Sequence, residues 1–233
     1  MSRFFSFGIL AVLTALAVTA QAFKPVKPDF DAYISLLEAD GYNVQSYDIS
    51  SLSDSTYSVL FLVREYENGK MIHDGHERFI YELRTRNMLS RFSDEEKAKV
   101  KPEDMDDAAK EIVNLGQKVN IGLAPLNDST LRVSLEIPNI GSTYQYLSMR
   151  SQTDPKNGQI VRRYQTRPFT APDFRTDSFI PLMFVGSVWY DTNFEIFRFC
   201  GDNIITPDLS SEIVSHVPHF YVIGVELKNK HEN

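Results

Sequence analysis

Tyr57-Ser58-Val59-Leu60-Phe61-Leu62-Val63-Arg64-Glu65-Tyr66-Glu67-Asn68-Gly69 is the stretch on which the fold class turns. Its centre, Val59 to Val63, is an unbroken apolar run, the pattern of a strand covered on both faces. Asn68-Gly69 follows at once, and that dipeptide accepts the positive φ angles of a tight two-residue hairpin. A return strand is therefore expected between Met71 and Leu83, where Phe79, Tyr81 and Leu83 alternate with Arg78 and Glu82.

Upstream, the period is helical. Asp29 can cap a short helix in which Phe30, Tyr33, Ile34 and Leu37 form one stripe, and Gly41 closes it. Downstream, Ser93-Asp94-Glu95-Glu96 reads as a capping box. Pro102 then fits the first position of a second helix, with Met105, Ala108, Ala109 and Ile112 as its buried stripe and Gly116 as its stop. From Gln117 the pattern is β to the end. Leu131, Val133, Leu135 and Ile137 alternate with polar residues, as in a strand with one wet face. Leu182 to Tyr190 is a second two-sided apolar run, and Tyr221, Ile223, Val225 and Leu227 keep one apolar phase. The shift of phase between Phe194, Ile196 and Phe197, Phe199 suggests a bulge or a doubly buried strand. No β-α-β alternation occurs. The expected fold is α+β: one domain over residues 23–233, mainly antiparallel twisted sheet of about ten strands, with two or three helices. A sandwich and a half-open barrel both satisfy that pattern, with the last strand against Leu182–Tyr190.

Residues 1–22 read as a cleavable export signal. Arg3 supplies the positive start, the chain to Ala20 is apolar or small, and Thr19-Ala20-Gln21-Ala22 offers small residues at the cleavage positions. A membrane-spanning helix needs roughly 20 strongly apolar residues, and this run is shorter and broken by hydroxyls. No later run approaches that length, so an integral membrane protein is not expected. Cys200 is the only cysteine, which rules out an internal disulfide.

The formal charge is −7, a poor mean field for nucleic acid. It is unevenly spread. Residues 94–111 hold eight acidic and four basic side chains, whereas residues 150–175 hold six basic against two acidic. Solvated surface explains both runs, but the second contains Arg162-Arg163-Tyr164-Gln165-Thr166-Arg167. If Tyr144–Arg150 and Ile160–Arg167 pair across a turn at Asp154 to Gly158, then Arg162, Arg163 and Arg167 come beside Tyr144, Tyr146 and Tyr164. Guanidinium forks beside tyrosines suit an acidic glycan or an acidic protein segment. Arginine stems lying over tyrosine rings are also ordinary sheet packing.

Histidines form two H-x-x-H pairs, His73 with His76 and His216 with His219. Neither pair sits on an expected helix that would point both rings one way, so no metal is expected, and these four remain the only candidates for one. Cys200 ends an aromatic strand, where a buried or half-buried structural thiol is expected over a nucleophile. No nucleophile elbow, phosphate loop, dinucleotide fingerprint or H-E-x-x-H motif is present, and no cofactor is expected.

Trp189-Tyr190, Phe199-Cys200-Gly201-Asp202 and Pro218-His219-Phe220-Tyr221-Val222-Ile223-Gly224 resemble the C-terminal quarter of uncharacterised secreted proteins of gut-dwelling Gram-negative anaerobes, grouped as domains of unknown function. The resemblance implies a bacterial envelope or extracellular setting and carries no residue role. Together these readings favour a non-enzymatic secreted or periplasmic protein that binds an acidic glycan or an envelope protein. A metal- or carboxylate-dependent hydrolase of envelope glycans is the alternative.

Overall fold

The computed structural model describes residues 30–52, 56–75, 78–106, 111–170 and 175–229. The predicted signal, residues 1–22, lies outside them. In chain order the helices are α1 (Phe30–Ala39), α2 (Asp94–Lys97) and α3 (Glu212–His216). The strands are β1 (Asn43–Asp48), β2 (Tyr57–Glu67), β3 (Lys70–His73), β4 (Arg78–Leu83), β5 (Arg86–Met88), β6 (Ile112–Asn114), β7 (Lys118–Asn127) and β8 (Thr130–Ile137). They continue as β9 (Gly141–Ser148), β10 (Gln152–Thr153), β11 (Ile160–Val161), β12 (Tyr164–Pro168), β13 (Phe179–Ser187), β14 (Trp189–Asp191), β15 (Ile196–Arg198) and β16 (His219–Asn229).

Two antiparallel sheets make a sandwich. One has the order β1-β7-β8-β9; the other runs β12-β13-β16-β2-β3, with β4 also on β2. Alternation along β8 places Leu131, Val133, Leu135 and Ile137 inward, as its one-phase pattern requires. They meet Phe61, Val63, Met183, Ile223 and Val225 in the main core. The second sheet has a second cover. Phe184, Phe220 and Val222 face away from the sandwich into a smaller core with Phe169, Ile205, Ile213 and Val217. Sheet on one side and the segment around α3 on the other explain why β2, β13 and β16 are apolar at both parities.

The hairpin at Asn68-Gly69 forms as expected, with φ of 50° and 76°. Its return is split. β3 pairs with β2 at Glu65–Glu67 and β4 pairs with β2 at Tyr57–Phe61. Gly75 lies in the gap at φ +80°, and a Cβ there would stand 2.6 Å from the carbonyl oxygen of Val63. β16 pairs with β13 along Phe179 to Gly186, so the last strand lies where its pattern placed it. The run expected as one strand from Leu182 to Tyr190 divides into β13 and β14. Phe194 falls in the turn between β14 and β15, which accounts for the phase shift without a bulge.

One helical expectation is corrected and one is met. The helix expected from Pro102 to Gly116 is a single 3-10 turn, Pro102–Asp104, and Ile112–Asn114 is strand paired with Arg86–Met88. Met105 bridges to Val113 instead of joining a helical stripe, while Ala108 and Ala109 lie outside the described residues. A first turn rich in Asp and Glu satisfies one turn of helix, and strand pairing of the β-branched Ile112-Val113 wins beyond it. In α1 the helix forms, with Gly41 at φ +87°, but Phe30, Tyr33 and Leu37 stay exposed among the described residues. The capping box holds: Ser93 Oγ accepts from Glu96 N at 3.3 Å, and Glu96 Oε2 accepts from Ser93 N at 2.8 Å. Ser93→Ala is expected to cost about 1 kcal/mol, read as a small fall in the denaturation midpoint at unchanged slope.

Candidate functional site

A cleft of about 1050 Å³ opens where β12 faces one end of the four-stranded sheet. Leu123, Leu131, Met149 and Tyr164 line its depth. One rim carries Arg162 and Arg163; Glu38 and Asp40 of the α1 terminus and Asp128 of the β7–β8 turn also line it. Among the described residues none of these five charges has an opposite charge within 4 Å. All five are exposed.

Four of the six predicted ligand residues therefore share this cleft, though not by the expected route. Tyr144–Arg150 does not pair with Ile160–Arg167. β9 pairs with β8, β12 pairs with β13, and the turn at Asp154 to Gly158 closes only the short β10–β11 ribbon. The correction has a simple cause: β9 already completes its ladder against β8 over eight residues, while the two-residue ribbon leaves the chain free to cross to the other sheet. Tyr144 and Tyr146 consequently stand on the outer face of β9, with rings 5.4 Å apart, and do not line the cleft. Arg167 is committed to the protein. Its guanidinium lies 4.8 Å over the Phe199 ring, Nε donates to Asp202 O at 3.2 Å, and Nη1 donates to Thr166 O at 2.8 Å.

Tyr164 is buried, and its hydroxyl belongs to a closed hydrogen-bond circuit. Arg150 N donates to Tyr164 Oη at 2.9 Å, so Tyr164 donates its own proton to His219 Nδ1 at 2.6 Å. That fixes the tautomer: His219 Nε2 donates to Glu65 Oε1 at 2.9 Å. The Arg150 side chain returns to the same Glu65 oxygen at 3.2 Å. Tyr221 Oη lies 2.9 Å from Ser148 O and 3.3 Å from Glu65 Oε1. Burial pushes the Tyr164 hydroxyl up to about 12 and raises that of Tyr221. Burial also lowers His219, against the opposing pull of Glu65. The circuit holds a neutral imidazole in place, and His219 is 2% exposed, so it has no face to offer a substrate.

This cluster has a signal in the sequence that pattern reading passed over. Glu65 shares the inward parity of Phe61 and Val63, and His219 shares that of Tyr221 and Ile223. A polar residue at a core-facing parity must find partners. The acidic side chains of the cleft have no such signal, because residues 38, 40 and 128 meet only through the fold.

The remaining candidates separate. His216 stacks on Trp189 at 5.5 Å, on the α3 side of the six-stranded sheet, while His219 lies between the sheets. The second H-x-x-H pair therefore does not converge. His73 ends β3 opposite Glu65, and His76 lies outside the described residues. No group of three or more metal-ligating side chains occurs among the described residues. Cys200 is exposed, where a buried or half-buried thiol was expected: β15 ends at Arg198, so Cys200 lies past the strand, next to Gly201 with φ +119°. No helix among the described residues is long and apolar enough to cross a membrane.

A family profile described as a domain of unknown function, DUF5041, matches residues 12–229. No curated protein and no solved structure gives a match. With most of its length covered by that profile, the chain belongs to the DUF5041 family.

Proposed function

We propose that this protein is an exported, non-catalytic binding protein of the cell envelope, and that the cleft beside β12 is its ligand site. The observation that carries the reading is the set of five exposed charges, unpaired among the described residues, around one cleft with an apolar floor. Charged groups left without partners on a folded surface cost little in water and gain most when a complementary ligand arrives. Arg162 and Arg163 supply bidentate donors for carboxylate or sulfate groups of an acidic glycan or an acidic protein segment. Glu38, Asp40 and Asp128 oppose a pure polyanion, so such binding is weak and falls with salt. The commitment of His219 and Tyr164 to each other favours binding over hydrolysis in this cleft.

The test is a heparin column at low salt. Wild type is expected to be retained and to elute early in a salt gradient, while Arg162→Glu/Arg163→Glu flows through with its melting temperature unchanged. Equal retention of a stable double variant sinks the proposal. Export is tested separately: intact mass of secreted protein should begin at Phe23, and retention of Met1 would refute cleavage after Ala22.

A further inference from the structure

The cleft contains a feature that charge alone does not explain: the free edge of a sheet. β12 is an outer strand of the six-stranded sheet and, among the described residues, pairs as a strand only with β13. The direction of its backbone groups follows from the ladder. Val188 N donates to Arg163 O, and Phe169 N donates to Leu182 O. In antiparallel pairing, hydrogen-bonded residues alternate with residues whose N–H and C=O point the other way. Gln165 and Arg167 therefore bond to β13, and the backbones of Tyr164 and Thr166 point outward. Of these outward groups, Thr166 O is taken by the guanidinium of Arg167. Tyr164 N–H, Tyr164 C=O and Thr166 N–H have no partner among the described residues. The far end of the edge is closed, since Pro168 O accepts from Ile205 N at 2.9 Å and Phe169 bridges to Ile205.

Unpaired strand edges are templates for another strand, and folded proteins normally cover or blunt them. Here the closed end at Pro168 and the open end at Tyr164 leave about two rungs available, inside a cleft with unpaired charges of both signs. A polysaccharide cannot supply the alternating N–H and C=O groups that this edge would accept. A polypeptide can, and side chains of both signs on it would satisfy Arg162 and Arg163 together with Asp40 and Asp128.

We infer that the partner is an extended protein segment bearing both acidic and basic side chains, which adds as a strand to β12. This rests on the cleft being the ligand site, and it narrows that reading to one ligand class. The segment approaches the outer edge of β12 and forms hydrogen bonds with Tyr164 and Thr166. Its acidic side chains meet Arg162 and Arg163, and its basic ones meet Glu38, Asp40 and Asp128.

The probe is a synthetic ten-residue peptide of alternating threonine and valine, with two glutamates at one end and two lysines at the other. Binding is measured by fluorescence anisotropy at low salt, beside heparin on the same protein. Wild type should bind the peptide. Thr166→Pro deletes one outward N–H at an edge position that tolerates proline, and is expected to weaken peptide binding at least tenfold while leaving heparin retention intact. A second arm needs no variant: the same peptide N-methylated at every residue loses the N–H donors on both of its edges, and wild type should bind it at least tenfold more weakly. Arg162→Glu/Arg163→Glu should weaken both ligands. If Thr166→Pro and N-methylation change nothing while the arginine variant still loses heparin, strand addition is wrong and the cleft reading survives. Heparin retention with no peptide binding likewise overturns the inference alone. If the arginine variant loses neither ligand, the cleft reading falls as well. A dimer in the absence of peptide, abolished by Thr166→Pro, would identify a second copy of this chain as the occupant and refute a separate partner.

Discussion

Gly224→Ala is expected to destabilise the protein by about 3 kcal/mol, lowering its thermal midpoint by roughly 6–12 °C. The reason lies in the irregular pairing of β13 with β16. Register shifts between Pro181 and Met183, so β13 carries an extra residue opposite Gly224 and Ile223. That bulge brings the backbone over β16. A Cβ on residue 224 would stand 2.2 Å from the carbonyl oxygen of Ile180 and 2.8 Å from the Phe179 ring. The phenyl ring can rotate away, but a carbonyl within a central ladder cannot move without separating the two strands. Because β13 and β16 border both cores, the cost reaches both layers. Thermal unfolding of the purified variant measures it directly. A shift under 2 °C would show that β13 yields locally at the bulge.

Glu65→Ala is expected to cost about 3 kcal/mol, since it strands the Nε2–H of His219 in the core and releases the side chain of Arg150. Glu65→Gln keeps an oxygen acceptor and should cost about 1 kcal/mol. Urea denaturation of the two variants separates a missing acceptor from a missing charge: equal losses would mean that charge, not hydrogen bonding, dominates. The same circuit makes stability depend on acid. His219 has its folded pKa lowered, mainly by burial, from an ordinary value near 6.5. The unfolded chain therefore binds a proton at this residue more readily than the folded one. The stabilising contribution is complete above about pH 6.5 and is lost as pH falls below that value. Protonation would also put a hydrogen on Nδ1, facing the proton that Tyr164 already donates there. The midpoint of wild type should fall between pH 6.5 and 5. In His219→Asn, which cannot take up that proton, the slope over this range should be shallower. Identical slopes would assign the acid sensitivity to other groups.

Much of the sheet was legible because it obeys local rules. Asn68-Gly69 can close a two-residue turn wherever it stands between strands, and β8 shows its buried face through simple alternation. The solid apolar runs of β2 and β13 announced burial on both sides, which the second core behind Phe184 and Phe220 supplies. Local rules failed where two structures competed for the same residues. Between Pro102 and Asn114, helix-favouring acids precede a β-branched pair, and the pair's partner at Arg86–Met88 lies far back in the chain. Nothing nearby in sequence reveals it.

The candidate site divides along the same line. By itself the sequence determined the local excess of arginine at Arg162-Arg163, the apolar parities that bury β2 and β16, and the positions of the polar intruders Glu65 and His219 within them. Only the tertiary structure decided what those residues meet. It moved Tyr144 and Tyr146 to a separate sheet face, turned the Tyr164 hydroxyl inward to His219, brought Glu38, Asp40 and Asp128 to the cleft that Arg162 and Arg163 line, and left the outer edge of β12 open inside it. The physical reason is that periodicity records which side of a strand meets water, whereas the choice of neighbouring strand is made by contacts between residues far apart in the chain.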